Sequence, residues 1–270
     1  MELLKALVLG ALQGLTEFLP ISSSGHLVIG SQLMKFQDQG VVFDVFVHQG
    51  TLLAVVLVFR RELLEMIKAP FSWLRGNREA GVLQFLMMDI YIVIATLPAV
   101  VVGLFFKDSV EKLFDNILIV YSMLAVTGLL MIITRYLPQR DRPLNWSRSL
   151  LVGCAQACAI LPGLSRSGST IFAGMLLGVD REKIARFSFL MSIPAIVGAA
   201  VLQFGDLVSN PPTAGGLVNI FAGAAMSAVS GYFAIKLLLD IIRKNRLQWF
   251  GYYCLVLAAA GFGYTFFIAG

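Results

Sequence analysis

At 270 residues, 58% of them hydrophobic and only 14% charged, the chain falls far below the roughly 25% charged residues of soluble domains, which excludes a water-soluble globular protein. Its net charge of +5 therefore bears on membrane topology and lipid head groups. No basic cluster is interleaved with aromatics as a nucleic-acid binder requires.

The first apolar stretch, 3–18, is shorter than the roughly 20 residues that cross a bilayer as a helix, and so is the next, 27–34. Leu19-Pro20-Ile21-Ser22-Ser23-Ser24-Gly25-His26 lies between them. Short apolar arms broken by Pro, Gly and Ser predict a re-entrant helix–loop–helix hairpin. Such backbone is tolerated at membrane depth only where protein or a water-filled cavity satisfies its polar groups. Full spans are predicted at 41–59, 84–106 and 116–136. A second pair of short arms, 150–161 and 171–177, flanks Pro162-Gly163-Leu164-Ser165-Arg166-Ser167-Gly168-Ser169-Thr170, and spans resume at 184–204, 217–239 and 250–269. The fold class is thus an all-α polytopic membrane protein. Glu17 interrupts the first stretch, so no cleavable signal sequence is expected there.

Shifting the first hairpin by 143 positions lays Gly10 on Gly153, Gln13 on Gln156, Ser22 on Ser165, Ser24 on Ser167 and Gly25 on Gly168. Basic residues set the orientation. Arg60, Arg61, Lys68, Arg75 and Arg78 follow the first span, Arg135, Arg140, Arg142 and Arg148 follow the third, Arg181, Lys183 and Arg186 precede the fourth, and Arg243, Lys244 and Arg246 follow the fifth. The other side holds only Lys5, Lys35, Lys107 and Lys112, with nothing basic from Asp206 to Thr213. By the positive-inside rule the richer side is cytoplasmic, with both termini outside. The expected organisation is one integral membrane domain, 1–270, of two inverted repeats, about 1–142 and 143–270, each a hairpin plus three helices. Broken elements of such repeats meet near the midplane and build the site there.

Ionisable groups inside a membrane are costly and mark function, which singles out Glu17, His26 and Arg166. Ser22 and Ser24 read equally well as helix caps or as ligand groups, and Gly25 as a residue that permits an unusual backbone angle or close approach. Arg166 offers a planar fork of donors suited to phosphate oxygens; its alternative is an internal salt bridge to Glu17, and the two roles are compatible. Asp44 and His48 share a helix face at i,i+4 and with Glu17 form a candidate site for Mg²⁺ or Ca²⁺, though His is an unusual ligand for either. Gln13 and Gln156 are read as hydrogen-bonding groups between hairpins, and Asp89 as solvated near a helix end. Cys154, Cys158 and Cys254 form no CxxC pair and are predicted to be small buried packers. Walker, HExxH and Rossmann motifs are absent.

Gln13-Gly14-Leu15-Thr16-Glu17-Phe18-Leu19-Pro20 with Ser22-Ser23-Ser24-Gly25-His26 resembles the first signature of the undecaprenyl-diphosphate phosphatases of the bacitracin-resistance type. Pro162 to Thr170 is similar to the second, and Phe43-Asp44 and Ser188-Phe189-Leu190 also match, so the resemblance spans the chain. It implies a hydrolase of the bacterial plasma membrane that converts undecaprenyl diphosphate to the monophosphate, recycling the lipid carrier of peptidoglycan synthesis. It also implies divalent-cation dependence and a site facing the cell exterior or periplasm. Many members carry Glu where Gln13 stands; an amide is no base and a weaker metal ligand, so weight moves to Glu17.

On this reading Arg166, Ser22, Ser24, Ser165, Ser167, Gly168 and Thr170, with hairpin N–H groups, hold the diphosphate. Ser23 is the preferred nucleophile, assisted by His26 or Glu17; attack by His26 or by water stays open. The partners expected are the polyprenyl diphosphate and membrane lipids, not nucleic acid, and a homodimer is kept in view. The rival from another class is a flippase for undecaprenyl phosphate, because inverted repeats with midplane hairpins are also a transporter architecture. A scaffold without turnover would leave Glu17, His26 and Arg166 unexplained.

Overall fold

A computed structural model describes residues 2–34, 41–114, 116–203 and 214–267. Among them every regular element is helical. The first hairpin is α1 (Glu2–Phe18) and α2 (Ser23–Met34). There follow α3 (Val41–Val58), α4 (Arg60–Leu74), α5 (Ala80–Phe105), α6 (Lys107–Phe114) and α7 (Ile117–Ile133), which ends in a 3₁₀ turn at Thr134–Tyr136. The second hairpin is α8 (Trp146–Cys158) and α9 (Arg166–Leu176), followed by α10 (Arg181–Leu202), α11 (Ala214–Arg243) and α12 (Gln248–Phe267). Among the described residues five helices are long and apolar enough to cross a membrane, six if α3 and α4 count as one bent span. Lys35 and the segment Asp206 to Thr213, assigned from sequence to the outer face, lie outside the described residues.

The six predicted spans and four short arms all fall on helices of the described residues. The basic stretch after the first span, to which the sequence assigned no element, is the helix α4, bent 80° from α3. The pivot is Phe59, 1% exposed, whose ring packs 5.8 Å from that of Phe189. Beyond it Arg60 and Arg61 leave the apolar layer. Met66 and Ala69 of α4 face inward while Leu64, Ile67, Phe71 and Leu74 stay exposed.

Between apolar helices in lipid, association rests on close van der Waals packing and hydrogen bonds, so small residues sit at the contacts. α1 lies on α11 and α8 on α5. A Cβ added at Gly10 would fall 2.2 Å from the Gly223 carbonyl oxygen, and one at Gly153 would fall 2.3 Å from that of Ala95. The matched glycines of the two hairpins thus make the same kind of backbone contact, each with a helix of the other half. α3 and α10, the helices that follow the hairpins, pack on one another, as do α7 and α12.

Because Gly153 turns one face of α8 towards α5, the opposite face looks outward. Cys154 and Cys158, predicted to be buried, are therefore exposed; Cys254 is buried as expected. Asp89 is also corrected: α5 begins early enough to hold it inside the helix, half-buried, and its Oδ2 is buried without a hydrogen-bond partner among the described residues.

The basic segments converge at one end of the bundle. Arg186 of α10 reaches Glu62 of α4 at 2.7 Å and Glu182 at 3.0 Å, Arg243 at the end of α11 reaches Glu182 at 2.7 Å, and Lys183 reaches Asp141 at 2.7 Å. Each such pair contributes at most about 1 kcal/mol. Their value here is to mark one pole of the molecule.

Candidate active site

Each hairpin breaks where Pro and Gly deny it a continuous helix. In the first, the chain turns at Leu19–Ile21 and restarts at Ser23. The left-handed residue is Ser22 (φ 69°), so of the two readings of Gly25 an unusual backbone angle is not the one adopted. Gly25 instead permits close approach, since an added Cβ would lie 3.4 Å from Gly163 Cα and 3.3 Å from Ser22 Oγ. Ser22 Oγ accepts from Gly25 N at 3.3 Å, a cap. In the second hairpin Gly163 takes φ 92°, and Ser165 caps α9 by accepting from Gly168 N at 3.1 Å. Both serines satisfy N–H groups that a helix start leaves unpaired.

The hairpins meet at these breaks. Gly163 N donates to Ser24 Oγ at 3.4 Å, and Ser167 Oγ donates to the Leu19 carbonyl at 3.4 Å. Thr127 of α7 clamps the second break: its Oγ1 donates to Gly163 O at 3.0 Å and accepts from Ser165 N at 2.9 Å. Sequence gave no sign of Thr127, which is one hydroxyl among many in an apolar span.

Glu17 is the hub, 7% exposed. Its Oε1 accepts from Arg166 Nη2 at 2.6 Å; its Oε2 accepts from Ser23 Oγ at 2.5 Å and Gln13 Nε2 at 3.0 Å. His48 Nε2 stands 3.7 Å from the same Oε2. A buried carboxylate without such partners would be costly, and removing one member of a buried ion pair typically costs about 3–5 kcal/mol. The arrangement is also reactive: a hydroxyl on a carboxylate oxygen is positioned to lose its proton, and a guanidinium beside it can take an anion.

These groups open onto a cavity of about 940 Å³. Its polar end is lined by Glu17, Ser23, Ser24, Asp44, His48, Gln156, Ser165 and Arg166, and its other wall is apolar, from Ala99, Val100 and Phe114 to Ala195, Ala199 and Leu202. A polar pole joined to an apolar channel suits an amphiphile with an anionic head.

His26 is not among the residues that line this cavity. It is 6% exposed; its Nδ1–H donates to the Ser22 carbonyl at 2.8 Å, and Nε2 faces Tyr253 Oη of α12 at 2.7 Å, the two rings stacked 5.6 Å apart. With Nδ1 as donor, neutral Nε2 accepts the tyrosine proton. Tyr253, 227 positions away, carried no sequence signal. Ser167 and Thr170 are also turned into the protein: Thr170 Oγ1 lies 2.6 Å from Ser188 Oγ, and Ser167 Oγ 3.2 Å from Ser165 Oγ. Gly168 contributes its N–H to the Ser165 cap.

Glu17 and Asp44 line one cavity, and a hard cation takes such carboxylates with phosphate oxygens completing its shell. Among the described residues no three His, Cys, Asp or Glu side chains are grouped to hold a metal, so the predicted set of Glu17, Asp44 and His48 is not assembled, and what remains is two carboxylates on one cavity. His48 Nδ1 donates to the Asp44 carbonyl at 2.6 Å, which leaves only Nε2 towards Glu17. Gln13 and Gln156 do not bridge the hairpins as predicted: the Gln13 side chain bonds within its own helix, and the Gln156 side chain bonds to no described residue.

The model of the family described as bacitracin resistance protein BacA matches residues 6–260. Among curated proteins, the chain is 41% identical to the undecaprenyl-diphosphatase of Desulfatibacillum aliphaticivorans, over 96% of this chain and 97% of that protein. It is 40% identical to that of Halothermothrix orenii, over 94% and 95%, and 40% identical to that of Methanobrevibacter smithii, over 94% of each.

Proposed function

This chain belongs to the bacitracin resistance protein BacA family, and on that premise we propose that Glu17, Ser23 and Arg166 carry its chemistry. The protein is a multi-pass membrane hydrolase, an undecaprenyl-diphosphatase, that converts undecaprenyl diphosphate to undecaprenyl phosphate and inorganic phosphate. The observation that carries the residue roles is the pair of contacts on one carboxylate, Ser23 Oγ at 2.5 Å and Arg166 at 2.6 Å.

Arg166 turns from Glu17 to the terminal phosphate as substrate enters, and the prenyl chain lies along the apolar wall. Ser23 Oγ attacks the terminal phosphorus while Glu17 Oε2 takes its proton. The bond from that phosphorus to the bridging oxygen breaks, and undecaprenyl phosphate leaves with the bridging oxygen. Glu17 releases the Ser23 proton to solvent as undecaprenyl phosphate departs. Water then attacks the phosphoserine, giving a proton to Glu17, which passes it to the serine oxygen as inorganic phosphate is released. Positioning and electrostatics do most of such work in phosphoryl transfer. A divalent cation, Mg²⁺ or Ca²⁺, held by Glu17 and Asp44 with the diphosphate, would offset charge on the leaving phosphate. His26, tied to Ser22 O and Tyr253, sets the backbone from which Ser23 projects.

We place the basic pole in the cytoplasm of a bacterial plasma membrane and the cavity towards the outer face. Support comes from the convergence of Arg186, Arg243 and Lys183 at one pole and the positive-inside rule.

The test is phosphate release from undecaprenyl diphosphate by purified protein in detergent, with and without EDTA. Metal-dependent release is expected. Movement of undecaprenyl phosphate across liposomes with no hydrolysis would overturn the assignment in favour of a flippase.

A further inference from the structure

Gln156 of α8 is 2% exposed, and neither its Oε1 nor its Nε2 has a hydrogen-bond partner among the described residues. Buried side-chain amides are rarely left this way, because the unpaired group forfeits its hydration for nothing in return. The side chain nevertheless lines the same cavity as Glu17, Ser23 and Arg166, beside Ile160 and Ser165.

The duplication explains how the amide came to be unpaired. The 143-residue shift that lays Gln13 on Gln156 also lays Glu17 on Ile160 and Ser23 on Arg166. In the first hairpin Gln13 Nε2 donates to Glu17 Oε2, one helical turn on, at 3.0 Å. In the second, isoleucine stands where that acceptor would be. Arg166 has resolved its own lack of a local acid by crossing to Glu17. Gln156 makes no equivalent contact with the described residues, so among them its carboxamide keeps an unused donor and an unused acceptor at the cavity wall.

We propose that Gln156 is a head-group-binding residue: its Nε2–H donates to a phosphate oxygen of the diphosphate held by Arg166. This rests on the hydrolase reading above and adds a residue to it. The chemistry suits the position. A neutral amide donates to a polyanion without adding a charge that must be balanced once the product leaves, whereas an acid there would repel the ligand. A donor to an anionic acceptor also makes a stronger bond than one between neutral groups.

The experiment compares wild-type protein with Gln156→Leu and Gln156→Glu in detergent. It measures kcat and KM on undecaprenyl diphosphate, and the melting temperature with and without inorganic pyrophosphate as a head-group probe. Gln156→Leu should raise KM about tenfold while kcat changes little, the pattern of an interaction made in ground and transition states alike. It should also lose most of the pyrophosphate-induced rise in melting temperature seen in wild type, while melting without ligand no lower than wild type. Gln156→Glu should raise KM further. An unchanged KM with unchanged pyrophosphate protection in either folded variant would overturn the proposal, as would a wild-type protein that pyrophosphate does not protect. Failure of the hydrolase reading is separable: it appears as absent phosphate release in wild type, whereas this inference fails with wild-type hydrolysis intact.

Discussion

Arg166 and Glu17 stand 149 residues apart in the chain, yet guanidinium Nη2 donates to carboxylate Oε1 at 2.6 Å. One hairpin supplies the acid and the hydroxyl, the other the cation, and the site exists only where the two breaks touch. The pair sets a positive charge against the buried carboxylate and gives the guanidinium a reason to be inside a membrane protein at all.

Arg166→Lys should therefore lose at least about tenfold in turnover, roughly 1.4 kcal/mol of transition-state stabilisation. An ammonium can neutralise Glu17 but does not reproduce the two-pronged grip on phosphate. Steady-state phosphate release measures the loss; near-normal kcat would reduce Arg166 to a point charge.

Ser23→Ala removes the attacking oxygen and leaves Arg166 in place. Turnover should fall on the order of a hundredfold or more while substrate binding survives, since the missing group acts in the transition state. Rapid quench of wild type with labelled diphosphate should trap an acid-stable, base-labile phosphoprotein. Acid-labile, base-stable label would transfer the nucleophile's role to His26, and full hydrolysis by Ser23→Ala would remove Ser23 from it.

Tyr253→Phe keeps the ring against His26 and deletes only the hydroxyl, leaving buried Nε2 without its donor. That costs about 1–3 kcal/mol, visible as a lower melting temperature, with a smaller loss of turnover than Ser23→Ala causes. A variant as stable as wild type but as inactive as Ser23→Ala would place the Tyr253–His26 pair in the chemistry itself.

In a background lacking Cys154, Cys158 and Cys254, the topology can be read by labelling. Arg78→Cys and Arg142→Cys should resist an impermeant thiol reagent in intact cells, and Lys112→Cys should react. The reverse pattern would put the cavity's outer face in the cytoplasm.

The hairpins were legible because Pro20, Pro162 and the serine runs break apolar stretches too short to span, and the Glu17–Arg166 pair because two opposite charges in a membrane seek each other. The facing of the helices was not. In a soluble helix the polar stripe reveals the buried side by contrast; in α8 both lipid and protein accept apolar groups, so nothing in the pattern said that Cys154 and Cys158 look outward. The same blindness hid Thr127 and Tyr253, whose hydroxyls matter only for what lies across from them. Helix α4 escaped notice because its basic residues were read only for their charge, although Met66 and Ala69 against Leu64 and Phe71 make it two-faced.

The elbow at Phe59 has a mechanical consequence. A helix turned 80° from its predecessor cannot continue its axis, and exposed Leu64, Ile67, Phe71 and Leu74 opposite buried Met66 and Ala69 give it the two faces of a helix suited to the boundary between oil and water. Its hinge, Phe59, presses on Phe189, which in turn meets the ring of Phe18 edge-on at 5.7 Å, one residue from Glu17. Three aromatic rings thus run in contact from the elbow to the residue beside the acid.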